Sequence, residues 1–302
     1  MPLAADYTGG RMVTWPIAIA ALMALAPYLA AAFFREWVAR VVSRLPPIGR
    51  ILAPCVLGIP YALVTAGSDQ FRWGWLALYC LLPVALAALL LQARRIDPQQ
   101  KGNWRDFLIL LSVGLAVDLR WLEPAWPAHM AVFSKVLLLD AGIYGFGFLR
   151  ELEGVGFDLR LRGSDFGIAL REFLFYAPMA IVLSLSMGFL HFHAAWPAAS
   201  QWTTALLFTF FFIAVPEELF FRGWMQNLLE KRCGRYPALF VTAVVFGLSH
   251  WNKRTADFNW RYVLMAAIAG VFYGRAWRQG RRVGASALTH AGVDTVWSLW
   301  LR

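Results

Sequence analysis

The sequence predicts an all-α polytopic membrane protein, a helix bundle with about ten transmembrane helices, and three observations support this fold class. First, 60% of the 302 residues are hydrophobic and 15% are charged, with a mean hydropathy of +0.55, whereas soluble domains are about half apolar and about a quarter charged. Second, long apolar stretches recur along the chain. Third, the basic residues cluster in alternate connections between these stretches.

Each apolar stretch has the length of a membrane helix or of a shorter, tilted or re-entrant one. A helix that crosses about 30 Å of hydrocarbon needs about 20 mostly apolar residues. The predicted spans are 13–34, 48–66, 73–91, 107–121, 130–149, 168–190, 202–230, 236–251, 261–277 and 283–301. The first span is expected to be retained, because no small-residue cleavage site follows a short apolar segment.

The basic residues predict how the chain is oriented, because cytoplasmic connections carry an excess of Lys and Arg. Most of the 28 Lys and Arg residues fall in five alternate connections, which are 35–50, 94–105, 150–171, 231–235 and 275–282. The opposite side has Arg11, Arg72, Lys253, Arg254, Arg261 and Arg302. This asymmetry predicts that both termini lie outside the cytoplasm. We expect the protein to lie in a bacterial inner membrane. In a membrane protein, the net charge of +10 reflects the orientation of the chain, so no nucleic-acid partner is expected.

The chain divides into two regions by the distribution of its intramembrane polar groups. Residues 1–167 hold leading helices of unassigned role, and residues 168–302 hold the segments with chemistry-bearing side chains. The polar connection 150–167 separates them. It is expected either to lie along the cytoplasmic interface as a short amphipathic segment or to be a plain loop.

The stretch AVPEELFFRGW, residues 214–224, places three ionisable side chains inside an apolar span. A charge at the centre of a membrane helix costs several kcal/mol, so such residues are candidates for function. Glu218 and Arg222 are four residues apart and share a helix face, which predicts an ion pair. Glu217 is rotated by about 100° from Glu218 and is expected to be a free carboxylate. Alternatively, all three side chains only hold helices together.

Pro216 precedes the two glutamates, and a proline cannot donate to the carbonyl four residues before it. The helix is therefore expected to be kinked at this point, which frees backbone groups close to Glu217 and Glu218. The carbonyl that loses its donor in an α-helix is that of Phe212.

Two further spans carry polar groups at overlapping depths. FGLSH places Phe246 and His250 near the end of one span, and LTHAGVD places His290 and Asp294 four residues apart in the last one. At about 1.5 Å rise per residue, these groups and Glu217 lie between about 10 and 21 Å from the cytoplasmic end. A shared polar cavity is expected, although each histidine alone could simply form an interhelical hydrogen bond.

In order and spacing, these residues resemble the CPBP family, the CAAX proteases and bacteriocin-processing enzymes also called the Abi family. The first motif, E-E-x-x-x-R, stands here as Glu217, Glu218 and Arg222. The second, F-x-x-x-H, stands as Phe246 and His250, and the third, H-x-x-x-N/D, stands as His290 and Asp294. The resemblance covers about 202–301.

The resemblance implies an intramembrane glutamate-type endopeptidase that acts on a peptide or protein substrate in the lipid bilayer, without a cofactor. Glu217 and His250 would then activate a water molecule, and His290 would stabilise the oxyanion. Asp294 stands where the prenyl-processing members carry an asparagine, and an ionised aspartate cannot donate a hydrogen bond. Asp294 is therefore expected to orient His290, while Glu218, Arg222 and Phe246 support the site.

Three alternatives remain open at this point. Glu217, His250 and His290 could be three zinc ligands with an open fourth position, although no H-E-x-x-H sequence is present. Intramembrane acids beside a proline also occur in transporters. In the leading spans, the transporter alternative is supported by four charged side chains, namely Asp118, Arg120, Lys135 and Asp140. If the protein is not a transporter, these side chains are expected to pair with one another. The third alternative is a non-proteolytic membrane scaffold.

Overall fold

A computed structural model describes residues 14–193, 196–253 and 257–301, and these ranges are all-helical, as predicted. They contain no β-strand, although an isolated antiparallel bridge joins Phe192 and Leu301. Arg11, Arg254 and Arg302, which belong to the orientation argument, lie outside the described residues. The helices are α1 (Trp15–Phe33), α2 (Arg35–Arg44), α3 (Pro47–Thr65), α4 (Trp73–Ile96), α5 (Trp104–Asp118), α6 (Val132–Leu149), α7 (Gly163–Ser186), α8 (Ala199–Cys233), α9 (Arg235–Leu248), α10 (Trp260–Gly280) and α11 (Val283–Trp300).

Six of the described helices are long and apolar enough to cross a membrane, namely α1, α3, α4, α6, α7 and α8. The predicted count of about ten is therefore not confirmed. Helices α5 and α9 have 15 and 14 residues, fewer than the about 20 that a full span needs. Helix α10 has 21 residues but includes Arg261, Arg275 and Arg278, and α11 includes His290 and Asp294.

One hydrophobic core joins the leading helices to the carboxyl-terminal ones. It includes Ala24 of α1, Leu137 of α6, Trp224 of α8 and Ala287 of α11. Large apolar side chains also point outward from the bundle, for example Leu81 of α4, which is 63% exposed. Outward apolar side chains are what a bundle solvated by lipid requires, since hydrocarbon and not water is in contact with them.

The connection between α6 and α7 is a loop, and its location at the cytoplasmic interface stays a prediction. Residues 151–162 are not helical, and they turn into the protein. The buried side chains in this connection are Leu152, Val155, Phe157 and Leu159. Gly156 has φ +71°, and a Cβ at this position would lie 2.0 Å from the Arg281 carbonyl oxygen. Only glycine therefore lets the connection approach the turn between α10 and α11 so closely.

Candidate active site

Helix α8 carries the first motif, and its backbone is widened on both sides of the two glutamates. Phe210–Ala214 and Leu219–Gln226 are π-helical, and the α-helical turn Val215–Glu218 lies between them. π-helical turns are rare and occur often at functional sites. The backbone disturbance expected from Pro216 is present, but it takes the form of widened turns within one continuous 35-residue helix.

Glu218 is fully buried and has a partner on each carboxylate oxygen. Its Oε2 lies 3.0 Å from Arg222 Nε and accepts a hydrogen bond from Ser286 Oγ, and its Oε1 lies 3.0 Å from His290 Nδ1. The predicted Glu218–Arg222 ion pair is therefore present. It ties the first motif to α11, because Ser286 and His290 are one helical turn apart on that helix.

The Arg222 guanidinium is fully buried and is held by charge and by an aromatic ring. It lies within ion-pair distance of Glu218. Among the described residues, however, none of its three nitrogens has a hydrogen-bond partner of good geometry. Its Cζ lies 4.8 Å from the centroid of the Phe246 ring. A cation over an aromatic face is attracted to it, more strongly when both are desolvated. Phe246 of the second motif therefore packs on Arg222 of the first.

Glu217 is the more accessible of the two glutamates. Its side chain is 36% exposed, and its Oε2 lies 3.9 Å from His290 Nε2. This separation is too long for a hydrogen bond, and Oε2 has no hydrogen-bond partner among the described residues. The structure thus places Glu217 as a carboxylate with an unused oxygen beside a fixed imidazole.

Asp294 lies on the same side of the imidazole as Glu217. Its Oδ2 is 3.4 Å from His290 Nε2, and its side chain is 36% exposed. His290 therefore has Glu218 at one ring nitrogen and two carboxylates near the other. Attraction at Nε2 requires a proton either on the ring or on one of these carboxyl groups. The contact fits a role of Asp294 in orienting His290.

His250 follows the end of α9 and reaches the site through aromatic contacts. Its Nδ1 lies 2.8 Å from the Phe246 carbonyl oxygen. Because a carbonyl can only accept, Nδ1 carries the hydrogen, and Nε2 of the neutral ring is left as an acceptor. The Phe246 ring contacts both histidines, with ring centroids 4.9 Å from His250 and 5.7 Å from His290. In the described chain, His250 forms no ion pair with Glu217.

Two residues at this site carry no motif signal and were not assigned to it from the sequence. Ser286 is fully buried and donates a hydrogen bond to Glu218. Its position four residues before His290, on the same helix face, is the sequence signal that could have identified it. The Tyr273 ring of α10 stacks on the His290 imidazole, with centroids 4.5 Å apart and planes at 17°. No sequence pattern links positions 273 and 290, so only the packing of α10 on α11 shows this contact.

The donor groups for the zinc alternative are not gathered as a ligand set. Within residues 14–193, 196–253 and 257–301, no group of three or more His, Cys, Asp or Glu side chains is arranged to hold a metal ion. Glu217 and His290 lie close together, but the His250 Nδ1 atom is directed at a backbone carbonyl. Three converging ligands are the usual minimum for catalytic zinc.

Among the described residues, the four charged residues of the leading spans form no close ion pair with one another, although Asp118 and Lys135 interact electrostatically. Lys135 lies 3.5 Å from Glu123, outside the expected set. Asp140 is 2% exposed, and neither of its carboxylate oxygens has a hydrogen-bond partner in the described chain. Asp118 interacts electrostatically with Lys253 and Lys135.

Residues 199–296 match a protein family described as type II CAAX prenyl endopeptidase Rce1-like. The match spans α8 to most of α11 and includes every residue of the three motifs. No curated protein and no solved structure matches the chain. Members of the matched family are intramembrane proteases, and the apolar helices agree with an integral membrane protein. Residues 199–296, about a third of the chain, are thus similar to this protease family, as the three motifs predicted.

Proposed function

We propose that this protein is an intramembrane endopeptidase in which Glu217 and His250 activate a water molecule for attack on a peptide carbonyl. The observation that carries the proposal is the partly exposed Glu217 side chain beside His290, which is itself fixed by buried Glu218. The Glu217 Oε2 atom has no hydrogen-bond partner among the described residues. A general base must be within reach of the water that it deprotonates, directly or through small movements on substrate binding.

The proposed reaction uses each residue at a defined step. A water molecule binds between the Glu217 carboxylate and Nε2 of His250, and Glu217 takes its proton as the oxygen attacks the carbonyl carbon. His290 donates to the developing oxyanion, a kind of stabilisation that is strong in a dry site. The C–N bond then breaks, and the leaving amine takes the proton from Glu217. Asp294 and Glu218 hold the His290 ring in place during both steps.

The substrate in this proposal is a peptide or protein segment presented within the bilayer. The matched family is described by its action on prenylated CAAX sequences, so a prenylated peptide ending in C-a-a-X is the first compound to test. The unprenylated peptide and a library of membrane peptides are the comparison substrates. We also propose that the protein lies in a bacterial inner membrane with both termini outside the cytoplasm. In this orientation, the proposed site is open toward the cytoplasmic half of the membrane.

Peptide hydrolysis by the purified protein in lipid nanodiscs tests the catalytic assignment. Glu217→Gln and His250→Ala are expected to lower kcat by about 100-fold or more, because general acid–base groups contribute about 10²- to 10⁴-fold. Glu36→Gln, at an exposed position of α2, is the control and is expected to retain the wild-type rate. Equal rates in all three variants would overturn the proposal.

We propose that the reaction needs no resident metal, and the same assay checks this. A strong chelator is expected to leave the rate unchanged. Loss of activity that added zinc restores would instead favour the alternative in which Glu217, His250 and His290 bind zinc.

A further inference from the structure

Within the described residues, a partly buried hydrogen bond joins α1, the first leading helix, to the backbone of α8 close to the glutamates. The Tyr28 hydroxyl of α1 donates to the Phe211 carbonyl at 3.2 Å, and the tyrosine is 3% exposed. Phe211 lies in the π-helical turn Phe210–Ala214, immediately before the turn that carries Glu217. This contact spans 183 positions of the sequence.

The Phe211 carbonyl needs a donor from another helix. In a π-helical turn, the carbonyl of residue i accepts from the N–H of residue i+5. The fifth residue after Phe211 is Pro216, which has no N–H. Unsatisfied backbone groups are costly inside a bilayer, where water cannot replace the missing donor. The π-helical register therefore moves the orphaned carbonyl from Phe212 to Phe211, and Tyr28 donates to it.

The surroundings of Tyr28 hold its hydroxyl in this position. Its ring stacks on Phe157 of the connection between α6 and α7, with centroids 5.9 Å apart. The same connection binds α1 through the Leu159 N–H and the Ala32 carbonyl at 3.2 Å. The buried Asp140 of α6 interacts with Tyr28 electrostatically, yet its oxygens have no hydrogen-bond partner among the described residues. The Tyr28 proton is thus directed to Phe211.

We propose that Tyr28 is a positioning residue for the protease site. By donating to the carbonyl that Pro216 leaves free, it holds the widened turn of α8 in the register that directs Glu217 toward His290 and Glu218 toward Arg222. The leading helices then have a defined role, which is to complete the backbone hydrogen bonding of the helix that carries the glutamates. This inference rests on the proposed peptidase function.

Tyr28→Phe tests this role, with Tyr144→Phe as its matched control. Tyr144 also donates from its hydroxyl to a backbone carbonyl of another helix, Arg50 at 2.6 Å, but that bond joins α6 to α3. Tyr28→Phe is expected to lower kcat by about ten-fold with little change in KM, since one buried carbonyl loses its partner. Tyr144→Phe is expected to keep the wild-type kcat. An unchanged kcat in Tyr28→Phe, or an equal fall in both variants, would overturn the proposal.

A double-mutant cycle with Pro216→Ala separates this specific role from general destabilisation. Alanine restores an N–H at position 216, which can donate to the carbonyl of Phe211 or Phe212. Tyr28→Phe is therefore expected to cost less than about two-fold in kcat when added to Pro216→Ala, against about ten-fold in the natural background. The same ten-fold loss in both backgrounds would contradict the proposed link between Tyr28 and Pro216.

Amide hydrogen exchange keeps the test independent of catalysis. Peptides covering 209–219 are expected to exchange several-fold faster in Tyr28→Phe than in the wild-type protein or in Tyr144→Phe. If wild type and Glu217→Gln show the same peptidase rate, the proposed function is wrong. The exchange difference would still show whether Tyr28 stabilises the backbone of α8. Identical exchange in Tyr28→Phe and the wild type would overturn that role.

Discussion

At the residue scale, the Arg222 guanidinium is unusual, because it is buried and has no well-directed hydrogen bond among the described residues. Its charge is balanced by Glu218, and the face of Phe246 covers it. A buried ion pair is often no more stable than a well-packed apolar pair, but removing one partner leaves an uncompensated charge. The pair therefore acts as a unit, and Phe246 connects that unit to α9.

Replacing one member of the pair is expected to be worse than replacing both. Arg222→Met leaves Glu218 buried without its cation and is expected to lower the free energy of unfolding by about 3–5 kcal/mol. Glu218→Gln combined with Arg222→Met removes both charges, while glutamine can still bond to His290 and Ser286. The double variant is expected to be the more stable of the two in denaturant unfolding in detergent. A double variant as unstable as the sum of the single changes would contradict this coupling.

At the element scale, the close crossing of α9 and α10 determines where His250 lies. A Cβ on Gly247 would lie 2.6 Å from the Val263 carbonyl oxygen and 2.7 Å from the Ala267 Cβ. Glycine thus lets the two backbones touch, as small residues do at membrane helix interfaces. His250 follows three residues later, against the Tyr262 ring with centroids 5.1 Å apart.

Gly247→Ala is expected to push α9 away from α10 and to lower both stability and activity. The added methyl group meets backbone atoms that cannot rotate away, so the expected cost is about 1–3 kcal/mol of unfolding free energy. Gly167→Ala is the matched control, because a Cβ at that exposed position of α7 meets nothing within 4 Å. The control is expected to be neutral or more stable by about 0.5–1 kcal/mol. Thermal unfolding in detergent measures both, and equal melting temperatures would contradict the close-crossing argument.

At the scale of the whole molecule, two arginines tie the connection between α6 and α7 to other parts of both regions, near the end predicted to face the cytoplasm. Arg150 begins the connection to α7 and pairs with Asp106 at 2.9 Å and Asp97 at 2.6 Å. Arg282, in the turn between α10 and α11, pairs with Asp165 at 2.9 Å and Asp158 at 3.2 Å. The connection between α6 and α7 therefore carries ion pairs to both regions.

These pairs predict a loss of stability in acid that includes a contribution from Asp158. Burial raises the pKa of the Asp158 carboxyl, but hydrogen bonds from Arg160 and Arg282 outweigh this effect and lower the pKa to about 2. A carboxyl with a lower pKa in the folded state stabilises the protein above its unfolded pKa of about 3.9, and this contribution is lost as the pH falls toward 2. The part due to Asp158 is expected to disappear in Asp158→Asn.

Unfolding free energies measured between pH 6 and pH 2 test this contribution. Asp158→Asn is expected to be less stable than the wild type at pH 6, with a difference that shrinks between about pH 4 and pH 2. Asp69→Asn is the control, since Asp69 is exposed and has no ion pair in the described residues. A pH-independent difference for Asp158→Asn would indicate packing and not ionisation.

Much of the molecule could be predicted from local patterns. Composition and apolar stretches indicate an all-α membrane bundle, because a helix satisfies its backbone hydrogen bonds internally where lipid offers no partner. The i,i+4 spacing of Glu218 and Arg222 predicts their ion pair, which the structure contains. The three motifs predict the protease family that residues 199–296 match. The count of ten spans is not confirmed, because α5 and α9 are short and α10 and α11 carry several polar or charged side chains.

The remaining features depend on contacts between distant positions, which no local pattern encodes. Ser286 on Glu218, Tyr273 on His290 and Tyr28 on Phe211 arise from how whole helices pack. The sequence by itself determined the helical class, the intramembrane acids and the proline that leaves a carbonyl of their helix without its donor, since each depends on neighbouring residues and the solvent. Only the tertiary structure decided which carbonyl Pro216 leaves free and which helix supplies its donor, because this choice depends on backbone register and on the approach of α1.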